Sequence, residues 1–170
     1  MMSFSWPGLQ ITLEHVFEAA TGIPFVWEDE PRKIMTKPFG LLTLGQSIVT
    51  GRDYSEYNFD KEPSVTLGGY RELTITVQIF GRDARGDKSS RALVERARLA
   101  LANPVYRDEL RTAGLVFVET HPVADLDFSF DQRHEKRSAF DVVFRHMIEQ
   151  QHAWSEGGYF STVELERDCL

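Results

Sequence analysis

Leu9, Leu13, Val16, Phe17 and Ala20 recur at i, i+4, i+7, i+8 and i+11. This spacing predicts a helix over residues 8–21 with those side chains on one face. Pro7 suits its first turn, where a missing N–H costs nothing, and Gly22 suits a left-handed cap after its last. Proline is tolerated at the start of a strand, so Phe25-Val26-Trp27 after Pro24 reads as a short strand. A proline-containing loop, Glu28 to Lys33, leads to a second strand that opens at Pro38-Phe39 and runs to residue 50. There Phe39, Leu41, Thr43 and Gly45 face one side and Leu42, Leu44 and Ile48 loosely the other, a pattern of burial on both faces at the strand's beginning.

Residues 52–63 are polar yet carry Tyr54, Tyr57 and Phe59, and read as either a hairpin excursion or a mobile loop. Val65 and Leu67, then Leu73, Ile75, Val77 and Ile79 opposite Thr74, Thr76 and Gln78, return to period two, the clearest amphipathic strand in the chain. Gly81 to Gly86 is a turn, and Asp87 or Ser89 is placed to cap a second helix over 89–102, whose Leu93, Ala97, Ala100 and Leu101 share a face before Asn103-Pro104 ends it. Residues 105–113 offer one or two further helical turns. Strands follow at 115–120, around Phe128 and Phe130, and at 138–149, where Phe140, Val142, Phe144 and His146 oppose Asp141, Val143 and Arg145. Val143 on the polar side argues for a central strand. Gly157-Gly158 opens a last extended piece, Tyr159 to Leu165. The order of elements predicts an α+β fold, a mostly antiparallel β-sheet with two main helices packed on one face. One domain accounts for residues 1–170, with 153–170 as an interface tail.

A chain of 170 residues with 42% hydrophobic content supports a real core, and no apolar run approaches the roughly 20 residues a membrane span needs. Met1 to Gly8 has neither the basic segment nor the apolar core of a signal peptide, and the single Cys169 has no internal disulfide partner. The net charge of -7 argues against sequence-independent nucleic-acid binding. Its distribution is uneven: Arg82, Arg85, Lys88, Arg91, Arg96 and Arg98 outnumber the acids of their segment, whereas the residues from Ala153 carry Glu156, Glu164, Glu166 and Asp168 against Arg167. Such polarity lets copies of one chain meet head to tail.

Candidate chemistry is sparse. His121, His134, His146 and His152 lack the paired spacing of a metal site, and Asp125-x-Asp127 with Glu135-Lys136 only faintly matches a metal-dependent nuclease core. On a strand, adjacent Glu135 and Lys136 would point to opposite faces. No phosphate-binding glycine loop follows Gly81 or Gly68-Gly69, and no GxSxG elbow occurs. No cofactor is expected. Three features exceed the needs of a self-contained domain: the aromatic loop with Tyr54, Tyr57 and Phe59; the basic segment with Arg82, Arg85, Lys88, Arg91 and Arg98; and the C-terminal piece with Trp154, Tyr159 and Phe160. All three are candidate subunit or partner contacts, since exposed aromatics and arginines favour interfaces.

The run Ala19-Ala20-Thr21-Gly22-Ile23-Pro24-Phe25-Val26-Trp27, with Leu13 before it and Pro31-Arg32 and Pro38-Phe39 after it, resembles the neck and tail terminator proteins of contractile-tailed bacteriophages. Thr74 to Gly81, the helix from Ala92 to Ala102, and Phe140-Asp141-Val142-Val143-Phe144 continue the likeness, which spans residues 9–150. Residues 52–63 and 157–170 depart from it. The resemblance implies a non-enzymatic virion protein at the head–tail junction, made in the host bacterial cytoplasm. It implies a homohexameric ring that caps the tail tube, ends tube polymerisation and joins the tail to the neck. Its partners would be tail tube protein, a neck or connector protein and the tail sheath, with DNA passing the lumen unbound and no membrane contact. A head–tail stopper, a connector or a baseplate adaptor is the alternative role, and a small nuclease acting through Asp125 and Asp127 the remaining one.

Overall fold

The computed structural model describes residues 5–29, 35–59, 64–82, 85–126, 128–130 and 133–153. Helix α1 (Trp6–Thr21) starts where the Ser5 hydroxyl accepts the Gly8 N–H and stops where Gly22 turns left-handed at φ 72°. A residue with a Cβ is strained at that angle, so the glycine ends the helix at little cost. Leu9, Leu13, Val16 and Phe17 are fully buried, as their spacing predicts, whereas Ala20 is only half-buried. Glu18 then accepts the backbone N–H of Phe25 at 2.9 Å, pinning the start of β1 (Phe25–Trp27) to the helix.

Two long strands follow, β2 (Phe39–Asn58) and β3 (Ser64–Phe80), then α2 (Ser90–Ala100), α3 (Pro104–Thr112), β4 (Val116–Thr120), β5 (Ala124–Asp125), β6 (Phe128–Phe130), β7 (Arg133–Glu135) and β8 (Arg137–Ala153). The main sheet runs β1-β2-β3-β8-β4, with β5 also on β8, and β6 and β7 form a separate pair. Among the described residues every pairing is antiparallel except β1 with β2. This is the predicted α+β fold, with a third helix, α3, where the sequence offered one or two further helical turns. Asn103 caps α3 by accepting the Val105 N–H at 3.0 Å, and Pro104 occupies its first turn.

The core lies between the helices and one face of the sheet. Phe25 and Trp27 of β1, Leu42 of β2, Leu73, Ile75, Val77 and Ile79 of β3, and Phe140, Val142 and Phe144 of β8 pack against Leu9, Leu13 and Phe17 of α1 and Leu93, Val94 and Ala97 of α2. Each of the large aliphatic and aromatic side chains among them contributes about 1.5–3 kcal/mol through burial. On the other face Thr76 donates to Asp141 at 2.6 Å, keeping that side polar. β8 is central, between β3 and β4, which explains why both Val142 and Val143 are buried.

Gly40 is a point of close approach. A Cβ there would lie 2.2 Å from the Phe25 ring, so the ring of β1 occupies the space a side chain would take. Gly40→Ala is expected to lower stability by about 1–3 kcal/mol, read as a lower denaturant midpoint. An unchanged midpoint would contradict this packing of β1 on β2.

Candidate assembly interface

β2 does not end near residue 50; it continues to Asn58 and returns as β3 from Ser64, so the polar segment is a hairpin excursion and not a loose loop. β8 pairs with β3 along the full length, from Ser64↔Ala153 to Phe80↔Arg137. The helices cover only the half of this ribbon around Leu73 to Ile79. Beyond it, β2 residues 47–58, β3 residues 64–72 and β8 residues 145–153 form a three-stranded arm. No β2 residue after Leu42 is buried.

Side-chain contacts cross the arm on both faces. Tyr54 lies across Gly68, where a Cβ would fall 2.6 Å from its ring, and its hydroxyl donates to Glu149 on β8. That hydrogen bond, followed by desolvation, pushes the Tyr54 phenol up to about 12. Arg71 forks onto both Asp53 oxygens at 2.7 and 3.0 Å. The Arg71 hydrogen bond holds the Asp53 carboxyl below the usual carboxylate range. This fork passes over Gly69, where a Cβ would meet Asp53 at 2.0 Å. Gly68 and Gly69 therefore lie inside a strand, one clearing space for the tyrosine and the other for the ion pair. A register shift between Thr50 and Tyr54, with Gly51 at φ 83°, sets Tyr54 and Asp53 over their partners.

The arm exposes apolar area. Ile48, Val49, Tyr57, Leu67 and Tyr70 are each about half exposed and Phe59 is 75% exposed, with the Tyr57 and Phe59 rings stacked 6.2 Å apart. Among the described residues no strand pairs with the outer edge of β2 beyond Leu42 or of β8 beyond Arg145. Long exposed edges of this kind are templates for pairing with another chain. The sequence marks Ile48 and Leu67 only as strand positions and does not single out Val49 or Tyr70; it names none of them as a contact. The available signal was two adjacent apolar residues, Ile48 and Val49, in a stretch with no buried face.

The basic segment behaves differently. Arg82, Arg85 and Lys88 are exposed on the connection into α2. Arg91 pairs with Glu95 at 3.1 Å and with Asp125 at 3.6 Å, and Arg98 reaches Glu95 at 3.8 Å. Two of the five named cations are thus engaged inside the subunit. Trp154, Tyr159 and Phe160 lie outside the described residues, as do Asp127 and the side chain of His134. Asp125 accepts from Ser138 at 2.7 Å and ties β5 to β8 and α2. Among the described residues no cluster of metal-ligating side chains occurs, and no helix is long and apolar enough to cross a membrane.

At the root of the arm His146 is buried beside Arg71 on the neighbouring strand. Burial, and secondarily the Arg71 charge, hold its imidazole below its ordinary value.

A family model described as phage neck terminator protein matches residues 11–164. No curated protein matches the chain.

The depressed His146 value gives stability a sign against pH. The unfolded chain takes up the proton first, so this stability is present above about pH 6.5 and lost as pH falls through the folded value. His146→Gln should flatten the fall in denaturant midpoint just below that pH. An unchanged slope in the variant would mean the imidazole is not shielded from water.

Proposed function

The chain belongs to the phage neck terminator protein family, and from that premise we propose that it is the tail terminator: a ring of identical subunits that caps the tail tube, ends its polymerisation and joins it to the neck. Membership makes it a structural protein of the phage neck, at the junction of head and tail, that associates with other neck or tail proteins. The finer reading rests chiefly on the arm. A ribbon with two open edges and exposed aromatics has little reason to persist on an isolated subunit, where it adds exposed apolar area and unpaired backbone. It makes sense as a part buried by neighbours. Open edges of different strands, β2 on one side and β8 on the other, suit a head-to-tail contact, and such contacts close into rings when the rotation permits.

The arm residues Tyr54, Tyr57 and Phe59 are assigned to subunit contacts in this reading. Arg82, Arg85 and Lys88 form a second surface, directed at a neighbouring copy or at the tube. Arg91 and Arg98 act there only through what their ion pairs with Glu95 leave free. Trp154, Tyr159 and Phe160, which lie outside the described residues, are assigned to partner contacts as well. Six copies, a tube-protein partner, a connector partner and a sheath contact complete the proposal. A net charge of -7 per subunit suits a lumen that DNA must pass without adhering.

The test is light scattering and negative-stain imaging of the purified chain, alone and with assembled tail tubes. A closed ring, a multiple of the 19.5 kDa subunit, should form and sit on one tube end, stopping elongation. Leu67→Glu, on an exposed arm position, should raise the concentration for half-assembly at least about tenfold while leaving the monomer's melting curve unchanged. A monomer that ignores tubes would end this reading. A ring that binds the head connector but not the tube would make the protein a stopper instead.

A further inference from the structure

Burial along the β3–β8 ladder stops at one place. On β8 His146, 5% exposed, is the last buried side chain, and no later position of the strand is buried. On β3 the run of buried hydrophobic residues ends at Leu73. The imidazole therefore lies where the helix-covered half of the sheet gives way to the arm. A neutral ring is readily packed at such a place, whereas a charged one there must give up hydration.

The groups around His146 do not call for another positive charge. Arg71 of β3 stands opposite it in the register. The Arg71 guanidinium is forked onto Asp53 of β2 at 2.7 and 3.0 Å and also donates to the Tyr70 carbonyl at 3.0 Å. The Asp53 carboxyl, held below the usual carboxylate range by that hydrogen bond, stays ionised while a histidine titrates. From the β4 side Gly114 and Val116, neither of them titratable, line a recess that His146 shares with Tyr70 and Arg145. Arg145 is bound to Glu72 at 2.6 Å, and the Tyr70 phenol is uncharged wherever a histidine titrates. A protonated imidazole thus adds one positive charge to two neutral pairs.

The arm offers the proton a way in that leaves the body intact. Parting β8 from β3 beyond Leu73 hydrates His146, while Leu73 to Ile79 remain packed under the helices. We propose that His146 is an acid-sensitive latch on the arm: neutral, it holds the outer β3–β8 ladder to the body; protonated, it releases that ladder while the body stays folded. Because burial holds the folded imidazole below its ordinary value, the open arm takes up the proton first as pH falls below about 6.5. The latch is a property of the single subunit, so it goes beyond the ring reading and does not depend on it. Where the arm carries subunit contacts, the same device makes them acid-labile.

The test is hydrogen exchange of the dilute full chain read by mass spectrometry at about pH 7.5 and about pH 5.5, corrected for the intrinsic pH dependence of exchange. The readout is β3 from Val65 to Arg71, whose amides lie between two strands and so report opening of the arm. Its protection should fall about three- to tenfold, about tenfold being the limit for one group with an open-state value near 6.5. The Leu73 to Ile79 stretch should change less than about twofold. His146→Gln should abolish the fall, and His152→Gln, at the exposed end of β8, should leave it intact. If His146→Gln itself loosens the arm at neutral pH, magnetic resonance titration of the imidazole in the unmodified chain decides: the latch requires a midpoint below about 6.5. Arm protection that ignores pH, a fall that persists in His146→Gln or is shared equally by Leu73 to Ile79, or an imidazole that titrates at its ordinary value overturns the latch. None of these outcomes touches the ring reading.

Discussion

The structure depends on one pairing, β3 against β8, held in unbroken register from Ser64↔Ala153 to Phe80↔Arg137. Its two halves serve different ends. Around Leu73 to Ile79 it forms the floor on which α1 and α2 bury their apolar faces, and that burial supplies the folding energy. Beyond Leu73 the same ladder continues, and among the described residues no helix packs above it. The outer half is stable because backbone hydrogen bonding is propagated from the inner half, and because Tyr54–Glu149 and Arg71–Asp53 lock the strands across Gly68 and Gly69. An isolated hairpin of that length would be marginal in water.

That division explains how the sequence could be read. The buried half was legible, since helix-period and strand-period patterns appear wherever one face is dry: α1, α2, the β3 stretch from Leu73 and the β8 stretch from Phe140 all follow them. The arm was legible only in part: the pattern reads as strand to residue 50, at Val65 and Leu67 and to residue 149, while 52–63 reads as either a hairpin excursion or a mobile loop. With both faces wet the alternation is weak, and the register shift between Leu44 and Ser47 resets which residues share a face, so Leu42 and Ile48, which an unbroken strand would put on one side, fall on opposite sides. Glycine usually weakens a strand, but Gly68-Gly69 makes room for neighbouring side chains. The basic segment shows the converse error. A count of arginines cannot see that Glu95 lies one helical turn from Arg91 and Arg98, and so it overstates the free positive surface.

The candidate site was therefore only partly visible. Tyr57 and Phe59 stood out as aromatics in a polar stretch, and exposure confirms that they face solvent. Ala19 and Ala20 line an open groove with Arg96, Leu99 and Tyr106, a feature that exists only once the helices are placed. The same Ala19-Ala20 pair opens the run Ala19 to Trp27 on which the family likeness rested. A stretch that ends α1 and starts β1 thus also shapes a surface.

The central claim is that the arm is an assembly element, unburied in the subunit and buried in the ring. Hydrogen exchange compared between dilute monomer and assembled protein tests it most directly. The account predicts that amides on the outer edges, β2 beyond residue 47 and β8 beyond residue 147, exchange quickly in the monomer. In the assembly they should become protected, while those of α1 and the Leu73 to Ile79 stretch change little. Equal exchange of the arm in both states would contradict it, for the arm would then face solvent in the ring as well.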